Sequence, residues 1–148
     1  MFRFVIASLL FLAAVSIADP IADLSAANNR FAVALLHEMA KTDAGNLVFS
    51  PVSLEAALCM TYAGARGETA QQMEDVLEID TLGKDVHAAQ QDLSNNLRVT
   101  CNSDTVAKLS IANALWNAGC TAKADFTKLL HDRYGAQIRQ LPADPAAA

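Results

Sequence analysis

Histidine and cysteine, from which metal centres and nucleophilic sites are most often built, are scarce here: three of each in 148 residues. No C-x-x-C occurs, which removes zinc-ribbon and dithiol redox readings. His37-Glu38 resembles the start of a zinc-protease helix, but the position that needs a second histidine is Lys41. His37, His87 and His131 fall on separate segments and read as solvated or core residues, so no metal ligand set is expected. Ser50 and Ser53 have no histidine nearby in sequence to activate them. There is no glycine-rich phosphate loop and no N-x-[ST] sequon. Aromatic residues make up only 6%, with a single Trp, and the charges are scattered. That composition provides no stacking platform or basic stripe for nucleic acid. Nothing implies an enzyme or a cofactor.

What is present begins with an export signal. Arg3 is followed by a nearly unbroken apolar run to Ala18, with Ser16 and Ala18 as small residues before Asp19-Pro20. This is the pattern of a signal peptide, 1–18, cleaved after Ala18. The run is shorter than the roughly 20 residues of a membrane span, and no later segment is long enough to span. A soluble, secreted chain, 19–148, is therefore expected, with no membrane partner. Cleavage removes one of eleven basic residues and none of sixteen acids, taking the net charge from −5 to −6. The mean hydropathy of +0.22 owes part of its value to the leader.

Apolar residues at Leu24, Phe31, Leu35 and Met39 predict a helix over Leu24–Lys41, stopped by Asp43, Gly45 and Asn46. Leu47-Val48-Phe49 reads as a short strand buried on both faces. Ser50-Pro51 is a helix start, with Ser at N-cap and Pro at the first position. The helix that follows, to about Gly64, is apolar nearly all round and so should be deeply buried. Thr69 to Gln72 reads as a capping box for the next helix. A further, mostly polar helix over Lys84–Val99 uses Val86, Leu93 and Leu97 as its inner face. Alternation across Ala107–Trp116 predicts a strand. Ala124–Tyr134 reads as a helix, and Gln137–Leu141 as the start of another strand. Cys59 belongs in the core; Cys101 and Cys120 are the only pair for which a bridge is conceivable, and free thiols are the alternative. No repeat or linker divides the chain, so 19–148 reads as one domain.

The run from Asn46 to Met73, N-L-V-F-S-P-V-S-L-E-A-A-L-C-M-T-Y-A-G-A-R-G-E-T-A-Q-Q-M, is more specific. It resembles the serpin pattern of a buried strand, Ser-Pro, a helix and Gly-Ala-x-Gly-x-Thr. Asn29–Met39 looks like that family's first helix, Leu109–Trp116 like an early strand of its central sheet, and Ala124–Leu141 like the helix and strand after it. The resemblance implies an α+β fold, here the N-terminal helices plus the first strands of the sheet, in a secreted member of invertebrate type. It also implies a function: trapping of an extracellular serine protease, which cuts an exposed loop that then inserts as a new strand. The hinge and reactive loop of the family have no counterpart in this sequence, so the chain is expected to be inactive alone, with no reactive-centre bond. By motif position Ser50 and Ser53, and less directly Asn46 and Asn113, look like the hydrogen-bonded shutter beneath the sheet. Ordinary capping and turn chemistry is the competing reading for each. Some serpins bind sulfated polysaccharide on the helix matching Lys84–Val99. Here Lys84 and Arg98 are offset by Asp85 and Asp92, so no heparin site is expected. The alternative to an inhibitor is a non-inhibitory secreted binding or structural protein built on the same helices. One departure stands at Pro142, where the family usually has an aromatic residue before Asp-Pro.

Overall fold

A computed structural model describes residues 19–42, 45–103 and 108–141. The expected leader, 1–18, Ala107 at the start of an expected strand, and the departure at Pro142 lie outside the described residues.

Helix α1 spans Pro20–Thr42. It starts four residues before the expected position because Asp19 Oδ1 accepts from the backbone N–H of Ile21 (3.0 Å) and Ala22 (3.3 Å). Asp19-Pro20 is thus the same cap-and-proline device as Ser50-Pro51. Leu24, Ala27 and Phe31, spaced three and four apart, form its buried stripe. Helices α2 (Pro51–Tyr62), α3 (Gly67–Leu77), α4 (Val86–Asn102) and α5 (Ala124–Tyr134) complete the helical body. Strands β1 (Ala114–Asn117) and β2 (Gln137–Gln140) pair in parallel, Ala114 opposite Gln137, with α5 as the crossover between them.

The core lies where α1, α2 and α4 meet α3 and α5. Leu24, Leu77, Ile79, Val86 and Leu130 are buried to 1% exposure or less. Removing side chains of this size from water stabilises by about 1.5–3 kcal/mol each. Gly64 allows α2 to end against α5, since a Cβ there would sit 3.3 Å from the Phe126 ring. Gly135 ends α5 in the left-handed region (φ 59°), its N–H donating to His131 O while Ala136 N–H donates to Leu130 O. This Schellman-type stop delivers Gln137 to β1, where its N–H donates to Asn113 O at 3.0 Å.

Four expectations are corrected. The Leu47–Phe49 segment forms no strand; Leu47 and Phe49 are half-buried, and Val48 is 97% exposed. No strand among the described residues lies beside it, so only one face is covered. For the same reason α2 is not buried all round. Glu55, Ala56, Cys59, Met60 and Tyr62 face inward, while Leu54, Ala57, Leu58 and Thr61 are exposed. The capping box at Thr69 is absent, because α3 begins at Gly67 after Arg66, which makes no side-chain cap bond. The strand expected from Ala107 begins only at Ala114. Upstream, backbone groups that a neighbouring strand would take are bonded to α4 instead. Asn102 bonds both Leu109 N–H (2.9 Å) and Leu109 O (3.2 Å), and Arg98 donates to Ile111 O (2.8 Å).

Candidate functional site

The serines at the start of α2 do come together. Ser53 N–H donates to Ser50 Oγ at 3.3 Å, and the two hydroxyls lie 2.9 Å apart. Both are exposed, and this geometry satisfies an N-cap. Asn46 is exposed as well. Asn113 is tied elsewhere: its Nδ2 donates to Tyr134 O (2.9 Å), and its own carbonyl accepts from Gln137 N–H. It therefore couples the start of β1 to the end of α5.

The densest buried polar cluster lies one turn further into α2. Glu55 is fully buried. Its Oε2 accepts from Asn28 Nδ2 of α1 at 2.7 Å and from Gln90 Nε2 of α4 at 3.4 Å, while Oε1 has no hydrogen-bond partner. Burial pushes the carboxyl pKa up to about 7, partly offset by the bonds from Asn28 and Gln90. The Cys59 thiol beside it is pushed up to about 12, by burial first and then by the Glu55 charge. A thiol so hard to ionise is a packing group rather than a nucleophile. Cys59, Cys101 and Cys120 are all free, so the Cys101–Cys120 bridge is not formed. Cys120 Sγ instead donates to Asn117 Oδ1.

A second cluster joins α4 to α5. His87 Nδ1 lies 2.6 Å from Tyr134 Oη, and the ring sits between Tyr62 and Tyr134, 5.8 Å from each centroid. Burial, then the nearby Arg133 charge, hold its pKa below the usual histidine value. Tyr62 donates to Glu74 Oε1. His37 and His131 are exposed, and no group of metal-binding side chains is found among the described residues. Neither cluster pairs a nucleophile with a base.

Sequence reasoning passed over Glu55, Asn28 and Gln90. The signal was there: Glu55 is the one charged residue between Pro51 and Gly64, and Asn28 and Gln90 stand one turn beyond the core residues Leu24 and Val86.

The family model described as "Serpin (serine protease inhibitor)" matches residues 26–147. The chain belongs to the serpin family. Among curated proteins it is 35% identical over 121 residues to Serpin B6 of Pongo abelii, covering 80% of this chain and 31% of that protein. It is 40% identical over 88 residues to the leukocyte elastase inhibitor of Sus scrofa, covering 59% and 23%. Serpin structures share the fold. Ovalbumin from emu (Dromaius novaehollandiae) superposes with a TM-score of 0.72 at 21% identity, over 84% of this chain and 35% of that one. The native stressed form of Arabidopsis AtSerpin1 gives 0.70 at 24% identity, over 84% and 32%. This serpin chain thus spans about a third of the length of the curated relatives it matches. Its helix-rich body with a short two-stranded sheet corresponds to the N-terminal portion of the serpin fold.

Proposed function

We propose that this chain is the N-terminal frame of a secreted serpin that inhibits an extracellular serine endopeptidase, and that these residues alone do not inhibit. The observation that carries the reading is the sheet. Trapping needs a loop that is cut and then inserts as a strand, and the described residues supply two short strands already paired with each other. The names of the relatives, leukocyte elastase inhibitor among them, point to a serine protease of elastase type as the first target to try. Ser50, Ser53, Asn46 and Asn113 are proposed as the part of the shutter that this frame contributes. Export rests on the 1–18 leader. The helix over Val86–Asn102 carries Arg98 against Asp92, so no heparin affinity is expected at physiological salt.

The test is expression from a eukaryotic secretory host, with mass spectrometry of the medium. An N-terminus at Asp19 and no stoichiometric loss of elastase activity on mixing agree with the reading. Retention of residues 1–18, or titration of elastase by the purified chain, contradicts it.

A further inference from the structure

A cavity of about 550 Å³ opens between the end of α2, the start of α3, the start of α4 and one face of α5. That volume suits a small organic ligand. Part of its wall is apolar, from Tyr62, Ala65, Ala70 and Leu129. His87 also lines it, and that side chain belongs to a residue only 7% exposed.

The state of the His87 ring follows from its partner. Tyr134 is buried, and its hydroxyl has no other hydrogen-bond partner among the described residues. If Nδ1 carried the ring proton, the phenol proton would be left without an acceptor in the core, which is costly. Tyr134 therefore donates to Nδ1, and the neutral ring carries its proton on Nε2. Nε2 has no hydrogen-bond partner among the described residues and is not sealed from solvent, so it is an available donor on a largely buried side chain that lines the cavity.

Around this donor stand three cations, Arg66, Lys84 and Arg133, and two acids, Glu74 and Asp85. Glu74 is engaged by the Tyr62 hydroxyl, Arg66 by the Ala63 and Ala65 carbonyls, and Arg133 by Gln91 Oε1 at 2.8 Å. Lys84 has no ion-pair partner among the described residues. The lining thus combines an apolar floor, a histidine N–H without a partner and a Lys84 ammonium without an ion pair; Asp85 is the one acid there that is likewise unpaired among the described residues, against three cations.

We infer that this cavity binds a small organic anion, a carboxylate with an apolar body, which accepts from His87 Nε2–H and faces the Lys84 ammonium while its body rests on Tyr62, Ala70 and Leu129. The site stands apart from the two-stranded sheet and does not depend on protease trapping.

The experiment is an NMR titration of the full chain with benzoate, observed at the His87 ring, with benzyl alcohol and inorganic phosphate as separate arms. Benzoate is expected to shift the His87 resonances saturably, and neither control is expected to do so. Lys84→Glu, an exposed change that leaves the core intact, should weaken benzoate by about tenfold. His87→Phe should abolish binding. Equal binding of benzyl alcohol overturns the anion requirement, and equal binding of phosphate overturns the role of the apolar floor. No saturable shift at His87 up to about 50 mM benzoate, or unchanged affinity in Lys84→Glu, overturns the site.

Discussion

Asn28 Nδ2 reaches Glu55 Oε2 at 2.7 Å across the α1–α2 interface, inside a mostly apolar core. An amide can donate to a carboxyl in either protonation state, so the contact survives titration. The cost of the buried charge does not stay constant.

The carboxyl of Glu55 has a folded-state pKa raised from 4.5 to about 7. The folded protein therefore holds this proton more tightly than the unfolded chain. The Glu55 penalty is absent below about pH 4.5, grows as pH rises through 4.5 to 7, and is constant above that. The full effect is at most about 3 kcal/mol. His87 acts in the opposite sense: its lowered pKa makes stability fall as pH drops through the ordinary histidine value. Comparison with Glu55→Gln separates the two. Urea midpoints measured from pH 4.5 to 8 should show the parent losing stability relative to the Gln variant as pH rises. Parallel curves contradict a buried, titrating Glu55.

Ser50 separates capping from a shutter role. If the hydroxyl only caps α2, Ser50→Ala costs about 1 kcal/mol and Ser50→Asp restores most of it, because aspartate caps as well. Chemical denaturation of both variants reads this. In a complete serpin, a shutter role predicts in addition that Ser50→Asp fails to restore normal sheet opening, seen as altered loop insertion after cleavage. Full recovery of both properties in Ser50→Asp contradicts the shutter assignment.

Leu54 and Leu58 stand on the exposed side of α2 at 39% and 37% exposure, and Val48 is almost bare. Uncovered apolar surface of this kind drives association. The isolated chain should self-associate as its concentration rises. Leu54→Glu with Leu58→Lys should shift sedimentation toward monomer, with stability changed by less than about 0.5 kcal/mol. A parent chain that stays monomeric at every concentration runs against this.

The left-handed positions give a paired expectation. Gly135 (φ 59°) has open space around its missing Cβ, so Gly135→Ala should cost about 1 kcal/mol from backbone conformation alone. Glu78 takes the same region (φ 56°) to end α3 and pairs with Arg30 at 2.5 Å on the surface. Glu78→Gly relieves the backbone and loses a pair of small worth, so it should be neutral or stabilising by up to about 1 kcal/mol. Equilibrium urea curves check both signs; a stabilising Gly135→Ala contradicts the Schellman-type stop.

Segments with their own start and stop chemistry were legible in sequence. Ser50-Pro51 opened α2 where expected, and Ala124–Tyr134 matched α5, because Gly135 stops it and its apolar face repeats at helical spacing. Elements whose form depends on neighbours were not. Leu47–Phe49 and 108–113 have strand-like composition, but a strand exists only where a partner takes its backbone groups, and in 108–113 Asn102 and Arg98 take those of Leu109 and Ile111 first. The burial of α2 was overstated because hydrophobic periodicity reports what a helix can bury, not what covers it. Glu55 was missed because a single acid in an apolar helix looks like a surface residue until its partners on α1 and α4 are known. Ser50 was legible as the N-cap of α2, and Asn113 joins β1 to α5 through bonds that no linear pattern encodes.

The most direct test of the proposal that these residues alone do not inhibit is to mix the purified chain with elastase and separate the products under denaturing conditions. The account predicts intact protease and digestion fragments of the chain. A covalent band heavier than the protease, stable to SDS and boiling, would contradict it.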